Sequence, residues 1–430
     1  MDEILGFHLE QAARYKGELG ETDRELAERA GKRLAAAGRR ALVRGDQRGG
    51  APLIERALVL LRPWSLDVHL EIDLADAQVS PGATAAVAEA AAERARQLGD
   101  RPGEALAEVV AAEARLNMGD EEVDELERRC REALPLLERA GDHVGAGRVW
   151  TSLGFGVANL HGRLEEWTYA AEQAVDQWRL AGREPRGGLS GLPTAILFGP
   201  RPADEALRTL DSAIAEYPSH SAVLRRAELL AMLGRFDEAW AVALPTAERL
   251  RELNGDDSTD FALGEIAICE GDHETAVYWF RRLCTALEQR NQLALLSTYA
   301  PKLGRSLCEL GRYDEAEPLA DRGRELGDER DYVTQMYWRQ VKALVFAHRG
   351  KHREAERLAR ESVQVTEGTD GLSDQGDAYY YLARVLDEAG RTDDAAEALE
   401  QALERYGRKK NLAMVAQVKP KLEELRARVS

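Results

Sequence analysis

Cysteine is scarce. Four residues, Cys130, Cys269, Cys284 and Cys308, serve a chain of 430, and no two stand at metal-ligand or redox-motif spacing. That argues against a disulfide framework and against a thiolate metal site. Each lies in an apolar, helix-like context and reads as a small buried hydrophobe, which fits a reduced, cytoplasmic compartment. Long apolar runs are missing too. No stretch of about 18 apolar residues exists, so no helix is expected to span a membrane. The opening Met1-Asp2-Glu3-Ile4 is acidic and unlike a secretory signal. Positive charge is in deficit, with 58 Lys and Arg against 76 Asp and Glu and a net charge of −18. Such a chain repels phosphate backbones, so no nucleic-acid partner is expected. The densest basic run, Arg408-Lys409-Lys410, is short and reads as a solvated turn. The tryptophans (Trp64, Trp150, Trp167, Trp178, Trp240, Trp279 and Trp338) do not interleave with basic residues as nucleic-acid platforms do. Most are expected in core between repeats.

Signatures of catalysis are equally hard to find. The string nearest to a phosphate loop, Gly141-Asp-His-Val-Gly-Ala-Gly-Arg148, lacks the Lys-Ser/Thr pair and a preceding strand, and reads as a turn between helices. His348 and His352 have zinc-protease spacing, but Gly350 lies between them, so they are not expected to share a helix face. His273-Glu274 has no second histidine. Acidic pairs such as Glu121-Glu122, Asp256-Asp257 and Asp393-Asp394 fall at helix starts or turns, where carboxylates cap helices and oppose the dipole. We assign no catalytic residue, no cofactor and no metal, and expect no enzyme.

What the chain has is length, helix-favouring Ala, Leu, Glu and Arg, and a repeat. At 430 residues it is too long for one ordinary core, whereas an array grows without enlarging its core. One phrase recurs: Gly234-Arg-Phe-Asp-Glu-Ala239, Gly271-Asp-His-Glu-Thr-Ala276, Gly311-Arg-Tyr-Asp-Glu-Ala316, Gly350-Lys-His-Arg-Glu-Ala355 and Gly390-Arg-Thr-Asp-Asp-Ala395. The glycines are 37, 40, 39 and 40 residues apart. Each glycine is expected to end a helix in a left-handed conformation, with Phe236 or Tyr313 plugging the turn. Asp237, Asp314 and Asp393 are expected to cap the next helix. The alanine lets two antiparallel helices approach closely. Leu263-Gly264 and Leu303-Gly304 precede their turns by one fixed interval, and Phe280 and Leu399 follow the alanine by four residues on one helix face.

This combination resembles the tetratricopeptide repeat, though at a longer period than its usual 34 or so residues. The resemblance implies an all-α solenoid of antiparallel helix pairs wound as a right-handed superhelix. Residues 1–44 read as an N-terminal helical segment, 45–184 as degenerate repeats, 185–199 as a Gly/Pro-rich hinge, 200–410 as repeats and 411–430 as a capping helix. The weaker first-half signals are Gly45-Asp46, Gly119-Asp120 before a helix from about Val123 to Ala140, Gly162 to Trp167, and Phe198-Gly199-Pro200. The alternative is a separate helical domain before about residue 185. Within the hinge, a loop to about Gly188 and a short helix from Ser190 to Leu197 are expected.

The order of segments also resembles a bacterial family: helical repeat regions at the C-terminal end of signalling proteins that join a class III nucleotide cyclase to an AAA-type ATPase. The matching phrases are Leu5-Gly-Phe-His-Leu-Glu-Gln-Ala12, Gly45-Asp46 with Ile54-Glu-Arg-Ala57, Phe198-Gly199-Pro200, Trp338-Arg339 and Ala355-Glu-Arg-Leu-Ala-Arg360. The opening phrase is similar to the junction that follows the ATPase, and neither upstream domain is present. Either the gene encodes a lone repeat protein or this is a fragment whose catalytic part lies elsewhere, so the family's cyclase and ATPase activities are not carried over. The resemblance implies a regulatory arm, in cis or in trans, or a fragment of such a signalling or transcriptional regulator. Solenoids of this class bind along the wall formed by the first helix of each pair. The residues expected there are Glu265, Arg305, Tyr337, Gln340, Tyr380 and Arg384. The leading expectation is a scaffold or sensor that takes a protein or peptide partner.

Overall fold

The computed structural model describes residues 2–43, 47–78, 80–118, 120–182, 191–216, 218–254 and 258–429. Among these residues there are helices and turns and no strand, so the chain is all-α. Gly45-Asp46, Gly119, Asp256-Asp257 and the loop expected to end at Gly188 lie outside the described residues. The chain divides into two compact units, residues 1–157 with 173–183, and residues 158–172 with 184–430.

Unit 1 holds α1 (Asp2–Glu18), α2 (Arg24–Val43), α3 (Gln47–Leu61), α4 (Val68–Asp76), α5 (Pro81–Leu98), α6 (Arg101–Leu116), α7 (Val123–Ala140) and α8 (His143–Thr151), followed by a π-helical stretch, Ser152–Ala158. Helix α9 (Leu164–Leu180) is divided between the units. The string that approached a phosphate loop is a helix turn: Gly141 has φ +71°, and Asp142 accepts the Gly145 N–H at 2.9 Å at the start of α8. A fully buried carboxylate, Glu71, is held by Arg62 at 2.7 Å and Arg94 at 2.8 Å.

Unit 2 continues with α10 (Leu192–Phe198), α11 (Ala203–Glu216), α12 (His220–Met232), α13 (Phe236–Asn254), α14 (Ser258–Glu270), α15 (His273–Gln289), α16 (Leu293–Glu309), α17 (Tyr313–Leu326), α18 (Tyr332–His348), α19 (His352–Glu367), α20 (Leu372–Glu388), α21 (Thr392–Lys409) and α22 (Leu412–Val429). The short helix in the Gly/Pro-rich region starts at Leu192, after Gly191 at φ +66°, rather than at Ser190.

The recurring phrase makes the corner of each pair from α12–α13 to α20–α21. Its five glycines have φ between +72° and +85°. In each corner the next N–H reaches back to close a Schellman turn, as in Arg312 N–H to Leu307 O at 2.9 Å and Lys351 N–H to Phe346 O at 2.8 Å. The helices that follow need a correction. Asp237, Asp314 and Asp393 do not cap them, because each is already the second residue of its helix. The cap position falls on the residue just after the glycine. Arg312, Lys351 and Arg391 stand there without a side-chain cap bond, whereas Asp272 accepts from Thr275 N–H at 3.0 Å. The three aspartates instead oppose the helix dipole from the first turn.

The corner alanines Ala239, Ala276, Ala316, Ala355 and Ala395 are fully buried, as close approach of the paired helices requires. Gly264 serves the same end: a Cβ there would stand 2.5 Å from the ring of Phe280, which is itself fully buried. Burying that ring contributes about 2–3 kcal/mol. Each first helix packs on its partner and on the first helix of a neighbouring pair, seen for α12 with α14, α16 with α18, and α18 with α20. All four cysteines are buried, and burial pushes the Cys284 and Cys308 thiols up to about 12. Only Trp167 and Trp178 of the seven tryptophans are buried; the others are half-buried.

Unit 2 also meets its own beginning. Asp370, between α19 and α20, accepts the Leu164 N–H at 2.7 Å and the Glu165 N–H at 2.9 Å, capping α9 from 205 residues away. Lys409 donates to three backbone oxygens at the end of α10 and beyond: Leu197 at 2.8 Å, Gly199 at 2.5 Å and Arg201 at 3.0 Å. The basic run is thus not a solvated turn at its middle residue, which is 1 % exposed. A cluster of carbonyl oxygens at a helix C-terminus attracts an ammonium strongly enough to bury it. Finally, α22 packs on α20–α21 and also on α12 and α14.

Candidate functional site

The first helices of unit 2 carry charged residues where an ordinary core would carry aliphatics. Their side chains meet along one wall. On α12, Arg225 pairs with Glu228 at 2.9 Å, and both are buried. On α16, Lys302 pairs with Glu265 of α14 at 2.8 Å and donates to the Tyr337 hydroxyl of α18 at 2.9 Å. Arg305 donates to Gln340 at 3.2 Å and to Asp377 of α20 at 2.7 Å. Gln340 passes a bond on to Ser362 at 3.1 Å, and Tyr406 of α21 donates to the other Asp377 oxygen at 2.6 Å. Arg384 pairs with Glu309 at 2.6 Å, and Lys421 of α22 donates to the Tyr380 hydroxyl.

Aromatic rings separate the cations. Lys302 lies 5.2 Å from the Phe261 ring centre and 4.9 Å from that of Tyr337; Arg305 lies 4.8 Å from those of Tyr337 and Tyr381. The result is an alternating column, Phe261–Lys302–Tyr337–Arg305–Tyr381, that crosses α14, α16, α18 and α20. Ring faces supply the partial negative charge that a dehydrated cation needs.

Burial sets the titration of the wall. It raises Glu228 to about 7, against the pull of Arg225, and raises Asp374 to about 6 with help from nearby Asp377. Burial acts against Lys302 too, but Glu265 and Tyr337 outweigh it and hold the ammonium above its ordinary value. Glu309 stays below the usual carboxylate range: Arg384 and His273 overcome its burial.

All six residues nominated from the sequence fall on this wall and join one network. Arg305, Tyr337, Gln340 and Tyr380 are buried, while Glu265 and Arg384 keep about a fifth of their side-chain surface. Beside Tyr380 and Arg384 lies a recess of about 230 Å³, bounded also by Asp387, Leu399, Lys421 and Arg428. Sequence reasoning passed over Glu228, Lys302, Glu309, Asp374 and Asp377. Their signal was charge at helical spacing inside otherwise apolar first helices. His348 and His352 end one helix and start the next, and the His348 ring stacks on Tyr313 at 4.1 Å.

Comparison with known families is informative for helices α18 to α21. Residues 332–408 match the tetratricopeptide repeat. The match spans the pairs α18–α19 and α20–α21, whose corners are Gly350 to Ala355 and Gly390 to Ala395. No curated protein matches the chain. Among solved structures, yeast Tom70 is similar at 13% identity over 93% of this chain and 96% of that one, with a TM-score of 0.34. NprR in complex with its cognate peptide NprX is similar at 15% identity over 60% and 82%, with a TM-score of 0.42. YrrB, a tetratricopeptide protein with an unusual peptide-binding site, is similar at 18% identity over 49% and 98%, with a TM-score of 0.27. Among the described residues no helix is long and apolar enough to cross a membrane.

Proposed function

We propose that this chain is a protein-interaction scaffold or sensor, and that unit 2 takes a peptide or a segment of a partner along its charged wall. The observation that carries the reading is the makeup of that wall. Buried ion pairs stabilise a fold no better than well-packed aliphatics of the same volume. A wall that only held helices together would have little use for five cations and five carboxylates. Carboxylates displaced to about 6 and about 7 are characteristic of groups placed for binding or chemistry. The wall offers paired charges and ring faces, which suit a partner segment carrying both.

The test is selection of a random peptide library against the full chain. Binding of the enriched peptides should fall tenfold or more with Glu265→Lys or Arg384→Glu, which keep surface on the wall. It should hold with Arg249→Glu on a second helix. Absence of enrichment, or equal loss from the Arg249 variant, rejects the reading.

A second reading, a regulatory arm of an ATPase or cyclase domain in cis or in trans, is favoured by one feature of α1. Ile4, Leu5, Phe7 and Tyr15 are all exposed there, within and beside the phrase that resembles the post-ATPase junction. The reading frame upstream tests it: ATPase or cyclase motifs there support the arm, and their absence leaves only action in trans.

A further inference from the structure

Helix α22 has two faces in use, and the second is unusual for a helix that merely covers the end of a stack. One face, with Met414, Val418, Leu422 and Leu425, joins the core of the last repeats. A cap needs no more than this. The other edge reaches the far end of the same unit. Ala413 is buried in the core cluster of α10–α14. Gln417 donates to Ile268 O at 3.1 Å and Cys269 O at 2.8 Å, near the C-terminus of α14. Lys410, just ahead of the helix, pairs with Asp204 of α11 at 2.8 Å. These partners lie about 150 to 200 residues upstream. Helix α22 therefore lies between the first helices at both ends of the stack, in the place where an incoming helix would touch them.

Its fit there is incomplete. The recess of about 230 Å³ lies between α22 and α20–α21. Lys421 borders it, with much of its side chain exposed, the Tyr380 hydroxyl as its hydrogen-bond partner and the Arg384 guanidinium near by; partial burial, and then that guanidinium, lower its pKa against the pull of Glu309. Pro420 removes a backbone donor from the middle of the helix. Beyond the apolar face that it shares with α20–α21, the helix is held at this edge by two amide bonds and one alanine, beside an unfilled recess, and a single helix held so opens more readily than the paired helices beside it.

We propose that α22 is a tethered ligand of its own solenoid. Its seat, between the end of α14 and the α20–α21 pair, is the docking site for an amphipathic helix from a partner protein. Such a helix presents apolar residues at the spacing of Met414, Val418, Leu422 and Leu425, with a small residue and an amide at the places of Ala413 and Gln417. Docking displaces α22 and opens the charged wall. The proposal deepens the scaffold reading and rests on it, but its test is separate, because it reads the seating of α22 itself and not the binding of a peptide to the wall.

The experiment supplies α22 in trans. A fluorescent synthetic peptide of residues 411–430 is titrated into the full chain and into a Val418→Asp full chain, whose own α22 can no longer seat. We expect binding at least tenfold tighter to the variant, and a peptide carrying Gln417→Ala about fivefold or more weaker than the native peptide. Absence of binding to a variant whose α10–α21 remain protected from hydrogen exchange overturns the proposal. Should the variant unfold α10–α21 as well, hydrogen exchange on the unaltered chain decides. Amides of α22 opening while α20 stays closed support the tethered ligand; a single common opening overturns it. Dimers formed by swapping α22 between two copies assign the seat to a second copy and also overturn it.

Discussion

Replacing Lys409 by methionine removes the joint between the two ends of unit 2 while keeping most of the side-chain volume. Three carbonyl oxygens, of Leu197, Gly199 and Arg201, lose an ammonium donor within 3.0 Å. A hydrogen bond to a charged group contributes about 1.5–3 kcal/mol after desolvation. Burial draws the Lys409 pKa down to about 7, which offsets much of what three such bonds would add. Taking the joint at the worth of one such bond, about 2 kcal/mol, its loss is a roughly 30-fold rise in local opening. Hydrogen exchange reads it directly. The Asn411 amide, bonded to Tyr406 O, and the Gly199 amide, bonded to Ala195 O, should exchange about 30-fold faster in Lys409→Met. Amides in α16 and α18 should not change. Unchanged exchange at Gly199 and Asn411 would refute the reasoning, because it would mean the three oxygens find other donors at no cost.

Other consequences follow from groups already described. Glu228 has its pKa raised to about 7, so the folded chain holds more protons than the unfolded chain between about pH 4.5 and 7 and loses stability as pH rises through that window, by roughly 3 kcal/mol. Glu228→Gln should flatten that fall in urea midpoints measured from pH 5 to 8, and an unchanged slope would place the titration elsewhere. Asp370→Ala should weaken the α9 start by about 1 kcal/mol, seen as faster exchange of the Leu164 and Glu165 amides. Gly376→Ala places a Cβ 2.6 Å from the buried Tyr406 ring and should destabilise α20–α21 by about 1–3 kcal/mol in denaturant unfolding followed by exchange.

The corners of the second-half repeats could be read from the chain because their cause is local. A glycine at positive φ, a reach-back hydrogen bond and an alanine five residues on are all settled within one stretch of sequence. Helix α22 was legible for the same reason, and its bounds, Leu412–Val429, follow from its own pattern. Cap identity was not, because a two-residue difference in where the helix begins moved the cap from Asp314 to Arg312. The wall was legible in part. Repeat register put Glu265, Arg305, Tyr337, Gln340, Tyr380 and Arg384 on it, but register is silent about depth. Whether Arg305 faces water or Asp377 depends on how tightly α16 and α20 approach, and no local pattern encodes that. Lys409 was misread because its partners are more than 200 residues away and are backbone oxygens, which leave no trace in side-chain identity.

Closure of the unit onto its own start has a consequence for how its repeats can change over time. An open array can gain or lose a pair at little cost, since each pair answers only to its neighbours. Here the joints from Asp370 to α9, from Lys409 to α10 and from Gln417 to α14 fix the angle through which the intervening pairs must carry the chain. Adding or deleting one pair between Gly271 and Asp370 would miss all three joints at once. The copy number of this stretch is therefore under geometric selection, and length variation should concentrate outside it.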